Sequence, residues 1–159
     1  GLFLNEEIRA TYALEIIDEI KDQGGISILA HPFKQKRIFN EELLNKVDCI
    51  EVFNSRMSLH DNLKAYRIAE KLACPMIAGS DAHFYSEIGN AITLVNCDIL
   101  EAEELKKAII KKEVKMFGCL SSSFYNLGSN AIKELRMKVS GRILKFLLEN
   151  GYALFVLGV

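Results

Sequence analysis

Three short apolar runs, each stopped by polar residues and separated by helical patterns, constrain this 159-residue chain more than any other feature. Ile26-Ser-Ile-Leu-Ala30 halts at His31-Pro32, Cys49-Ile-Glu-Val-Phe53 runs into Asn54-Ser55-Arg56, and Met76-Ile-Ala78 breaks at Gly79-Ser80 ahead of Asp81 and His83. Runs of this length, bounded by breakers, read as buried strands. Proline fixes its own φ and lacks a backbone donor, so the first strand ends with His31 at its C-terminal tip. Strands alternating with helices form βα units, whose sheets are mostly parallel and whose ligand sites gather at the carboxyl ends of the strands. An α/β sheet or barrel is therefore expected, with His31, Asn54, Asp81 and His83 on one rim.

The flanking sequence fills in that frame. Gly1–Leu4 is a brief apolar piece that reads as the inside of a strand. Asn5 is a good N-cap for a helix carrying Ile8, Tyr12, Ala13, Ile16, Ile17 and Ile20 at helical spacing until Gly24 and Gly25. Ser58 or Asp61 can cap a helix that turns Leu59, Leu63, Ala65, Ala69 and Leu72 toward the core. Ala91–Val95 reads as another strand, Asp98 with Glu101 as a capping-box-like start for a helix bearing Leu105, Ala108 and Ile109, and Val114–Phe117 as a further short strand. After a polar hinge at Ser121–Gly128, Ile132, Leu135, Val139, Ile143, Phe146 and Leu147 trace a last helix ending near Gly151. The expected division is a sheet-bearing portion over 1–118 and a helical extension over 119–159.

Charge narrows the partners. With 20 Lys and Arg against 21 Asp and Glu, the chain has no broad positive field, so nucleic acid is not indicated and a small anionic ligand must be held by local charges or by metal. Cys49, Cys74, Cys97 and Cys119 lack Cys-x-x-Cys pairing and read as buried, reduced thiols of a cytoplasmic protein. No signal-peptide pattern opens the chain, and its longest apolar stretch, Tyr152–Val159, is too short to span a bilayer, so no membrane association is expected.

The chemistry is expected around Asp81 and His83. In an extended backbone, side chains two apart point the same way, so a carboxylate oxygen and an imidazole nitrogen face one point and can share a metal ion. The alternative is that Asp81 caps a helix and His83 faces solvent. Lys34, Lys36, Arg37 and Arg56 follow strand tips and can hold a phosphate or simply line a solvated loop; Arg56 suits the first role best through its planar fork. Glu51 can bond a backbone group or a ligating histidine, or be a structural carboxylate, while Asn54 can orient substrate or cap the loop turn. Ser80 and Ser121–Ser123 have no neighbouring base, which argues against a serine nucleophile, and His60 reads as a solvent-facing helix residue.

Gly24-Gly-Ile-Ser-Ile-Leu-Ala-His-Pro-Phe33, Ile50-Glu-Val-Phe-Asn54 and Ala78-Gly-Ser-Asp-Ala-His83, followed by Glu87-Ile-Gly89, together resemble the later half of the polymerase and histidinol phosphatase (PHP) family of metal-dependent phosphoesterases. The resemblance implies a distorted (β/α)7 barrel with two or three divalent ions, zinc, manganese or iron, at its carboxyl end. It also implies His31, Asp81 and His83 as metal ligands and catalytic groups, Asn54 and Arg56 against the substrate, and attack on a small phosphate ester by a metal-bound hydroxide. The family's leading His-x-His strand is not here, so the expected fold is the C-terminal portion of the barrel, incomplete at its N-terminus. A two-metal cluster needs about five or six donors, of which this chain offers three. Two other readings stay open: a degenerate, non-catalytic module that binds a partner or nucleic acid, and a metal-dependent hydrolase of C–N bonds.

Overall fold

In the computed structural model the three apolar runs form one parallel sheet in the order β1-β2-β3, with β1 at Ile28–Leu29, β2 at Cys49–Asn54 and β3 at Met76–Gly79. The structure describes residues 1–34, 40–95, 101–125 and 127–130. Strand β2 is central and buried along almost its whole length, the pattern of a strand covered on both faces. Ile50 and Val52 pack with Ala65, Ala69 and Cys74 on one side, while Cys49 packs with Ile26 and Ile109 on the other. The register shifts between Glu51 and Phe53, a bulge that re-aims side chains near the strand's end.

Two more strands, β4 (Ala91–Val95) and β5 (Val114–Gly118), pair antiparallel. Thr93 joins this pair to the parallel sheet: its Oγ1 accepts from Ala78 N and donates to Ala78 O, both at 2.8 Å, in place of ladder bonds. Among the described residues these strands form a mixed α/β fold without closing into a barrel. Leu2 makes a single antiparallel bridge to Ile26.

The helices depart from the sequence expectations at their ends. Helix α1 spans Ala13–Asp22 and starts well after Asn5. The amides of Asn5 and Glu6 donate to Gln23 Oε1, and those of Arg9 and Ala10 to the Glu19 carboxylate, so side chains of α1 and of its C-cap hold this segment outside the helix. Helix α2, Glu41–Lys46, was not expected from periodicity; Asn40 caps it by accepting from Leu43 N at 2.9 Å. Helix α3, Leu59–Lys71, begins at the foreseen cap, with Ser58 Oγ accepting from Asp61 N. It buries Asn62, Ala65 and Ala69, whereas Leu59 is 58% exposed and Leu63 also faces outward along a cleft shared with Phe117. Helix α4 runs Ala102–Ile110 from an N-cap at Glu101.

Residues 123–125 and 127–130 are helical where a polar hinge was expected. Lys36, Arg37, Cys97, Asp98 and everything from Ile132 onward lie outside the described residues. Cys49 and Cys74 are buried free thiols, and burial pushes Cys49 up to about 12; Cys119 is free and exposed, contrary to expectation. No helix among the described residues is long and apolar enough to cross a membrane.

Candidate functional site

His31 follows β1 with φ at 31°, a left-handed conformation that is costly for a residue with a Cβ. Its amide is held there by the Glu51 carboxylate, donating to Oε2 at 2.6 Å, a charge-assisted bond. The other Glu51 oxygen lies over Gly79, where a Cβ would sit 2.5 Å from Oε1. Glycine at 79 therefore makes room for the carboxylate between the tips of β1 and β3. The His31 Nδ1 is buried and has no hydrogen-bond partner among the described residues.

Asp81 also has a left-handed backbone, with φ at 49°, so the extended geometry expected for Asp-x-His is replaced by a turn. The turn still keeps the two side chains near each other: His83 Nδ1 is 2.9 Å from the Asp81 carbonyl oxygen and 3.9 Å from its Oδ1. Lys34 donates to Asp81 Oδ2 at 2.5 Å. Burial works to raise the Asp81 carboxyl, but the Lys34 hydrogen bond and charge, with His31 and His83 adding to them, hold it below the ordinary range. Burial pushes Glu51 the other way, upward, against the hydrogen bonds from Asn54 and His31. Since Asp81 and His31 both act on Glu51, the three groups lie within electrostatic reach of one another.

Donors of the right chemistry for a divalent ion are thus present: a histidine nitrogen with no partner among the described residues, an anionic carboxylate and a half-exposed imidazole. They fit a share of a metal site. Among the described residues no group of three or more His, Cys, Asp or Glu side chains comes together closely enough to hold an ion, and a lysine ammonium supplies the positive charge at Asp81.

Behind these groups lies a buried polar layer. Asn54 donates to Glu51 Oε2 at 3.1 Å and accepts from Arg56 N at 3.0 Å, so its amide organises the loop turn. Ser55 ties β2 to β3 through Ser80 O at 2.6 Å and Gly79 O at 3.2 Å. The Arg56 side chain, read from sequence as a cation at a strand tip, is only 3% exposed and pairs with Glu87, which is fully buried. Its Nη2 also donates to Tyr125 O and Ser129 Oγ. Glu87 Oε2 accepts in addition from the amides of His83 at 3.0 Å and Phe84 at 3.2 Å. In the sequence Glu87 stands out only as the first residue of Glu87-Ile-Gly89. Its spacing is informative in retrospect: a Glu three residues into the 3-10 turn Tyr85–Glu87, counted from Phe84, reaches back to cap that turn's amide. His60 is exposed on α3 beside Asp61, as expected of a solvent-facing helix residue.

Residues 60–114 match a family model described as PHP-associated. An uncharacterized protein of Methanocaldococcus jannaschii is 45% identical over 57% of this chain, which spans 43% of that relative's length. A two-domain protein of Bacteroides vulgatus, containing a predicted PHP-like metal-dependent phosphoesterase, superposes with a TM-score of 0.60 at 18% identity, covering 74% of this chain and 39% of that one. PsfC from Pseudomonas syringae superposes with a TM-score of 0.59 at 20% identity, covering 84% of this chain and 56% of that one. At these identities the structural likeness speaks for the fold.

Proposed function

We propose that the chain is a C-terminal portion of a PHP-family domain and that it carries part of the metal site of a phosphoesterase. The observation that supports this reading best is the buried His31 Nδ1, without a hydrogen-bond partner among the described residues, together with an anionic Asp81 that feels the charge of both His31 and His83. His31, Asp81 and His83 would hold two or three divalent ions, zinc, manganese or iron, together with donors from the rest of a longer (β/α)7 barrel. When bound, such ions supply Lewis-acid charge and acidify water near neutral pH.

The chain's own residues have distinct tasks in this scheme. His31 ligates as the neutral imidazole, with Glu51 fixing its backbone. Asp81 contributes hard anionic oxygen, and its lowered pKa keeps it charged at neutral pH. We assign the grip on the substrate phosphate to Lys34 in preference to Arg56, because Lys34 is partly exposed next to Asp81 while Arg56 is buried against Glu87. Asn54 acts by orienting Glu51. The substrate class is a small phosphate ester, in keeping with the near-zero net charge.

Phosphate release from a panel of small phosphoesters, measured on the full-length protein with added manganese or zinc, tests this. Metal-stimulated release supports it, and amide hydrolysis without phosphate release would move the protein to the C–N hydrolases. The absence of a three-donor group among the described residues favours, as a second reading, a non-catalytic module. That reading predicts neither activity.

A further inference from the structure

We infer that Arg56 and Glu87 form a positioning pair that locks the His83 turn to Tyr125 and Ser129, so that these helical residues after β5 control the geometry of the candidate site. The inference deepens the metal reading of His83 and rests on it. The pair is buried on both sides, with Arg56 Nη1 at 3.3 Å from Glu87 Oε2. That one carboxylate oxygen also receives the His83 and Phe84 amides, and so fixes the backbone from which the His83 ring projects. From its other end the guanidinium reaches Tyr125 O at 3.0 Å and Ser129 Oγ at 2.6 Å. One apolar contact follows the same path, the Phe84 and Tyr125 rings with centroids 5.6 Å apart, and Gly128 passes close enough to Phe84 that an added Cβ would stand 3.3 Å from its Cζ.

A buried carboxylate is costly unless paired and hydrogen-bonded, and losing one member of such a pair leaves the other uncompensated. The turn bearing His83 therefore depends on Arg56 staying in place, and Arg56 in turn is seated by Tyr125 and Ser129. Neither Arg56 nor Glu87 needs to touch substrate for this, which separates a positioning role from a phosphate grip.

The test uses the full-length protein, with Mn2+ titration calorimetry and backbone amide exchange on the parent, Glu87→Gln, Arg56→Lys and Ser129→Ala. Glu87→Gln and Arg56→Lys are expected to weaken Mn2+ binding by about tenfold and to speed exchange at 81–88 while leaving α1 unchanged. Ser129→Ala, which removes the Arg56 Nη2 bond to Ser129 Oγ and the Ser129 Oγ bond to Tyr125 O at the far end, is the variant to rely on if the others do not fold, and it is expected to speed exchange at 81–88 by about threefold. Parent-like exchange at 81–88 in every folded variant overturns the inference. If the parent binds no Mn2+, the metal reading fails, and the exchange measurements still decide whether the pair holds the turn.

Discussion

Glu51, near the end of β2, and Glu87, in the turn after β3, each set a buried carboxylate oxygen on the amide of a histidine, His31 in one case and His83 in the other. The region around Glu51 is closed on itself. Its second donor is the neutral amide of Asn54, three residues away, and its free space is created by Gly79 on the neighbouring strand. The region around Glu87 is open-ended, because its partner is the Arg56 cation, which draws in the backbone of Tyr125 and the side chain of Ser129. Neutral donors leave Glu51 uncompensated, and burial raises its pKa. The two halves of the rim thus rest on different supports: sheet geometry at His31, and an ion pair reaching into the chain after β5 at His83.

The largest expected effect comes from breaking the charged side. Arg56→Met leaves the Glu87 carboxylate buried and unpaired, with a loss of about 3–5 kcal/mol in folding stability by urea denaturation. Stability within experimental error of the parent would equate the two carboxylates and remove the contrast. On the other side, Gly79→Ala puts a methyl against Glu51 Oε1 and is expected to cost about 1–3 kcal/mol by the same measurement.

A smaller effect sharpens the contrast through pH. The folded-state pKa of Glu51 is raised above 4.5, so in metal-free protein its favourable contribution is present below that value and fades as pH rises through the folded pKa. Asp81 has the opposite sign: its pKa lies below 3.8, and the stability it adds is lost only as pH falls through the lowered value. Denaturation midpoints of Glu51→Gln should therefore gain on the parent as pH is raised from about 4.5 to about 8. A gap that stays flat would mean that Glu51 does not titrate differently on folding. Smallest is a chemical check on the core behind Glu51. Cys119 should label readily with a thiol reagent at mildly alkaline pH, while Cys49, with its thiol pushed up to about 12, and the buried Cys74 should label only on unfolding.

The closed half of the rim was far more legible in the sequence than the open half. His31 and its strand followed from an apolar run ending at proline, and the parallel pairing of β1, β2 and β3 from their alternation with helices. These signals are local. Asp81 and His83 were legible as residues near each other, but their turn was not, since the left-handed backbone at Asp81 is no part of a period-2 pattern. Arg56 misled because the planar fork that suits a phosphate equally suits a buried carboxylate and a carbonyl, and its partners at 125 and 129 are remote in sequence. The start of α1 failed for a related reason: Asn5 is a favourable cap, yet Glu19 reaches back and takes the Arg9 and Ala10 amides that a longer helix would have used.

Metal stoichiometry decides whether His31 and Asp81 are ligands. The full-length protein, stripped and then titrated with manganese or zinc, should take up more than one ion per chain, and Asp81→Asn and His31→Ala should each lose at least one while remaining folded. Unchanged uptake in both variants would contradict the assignment of these side chains to a metal site.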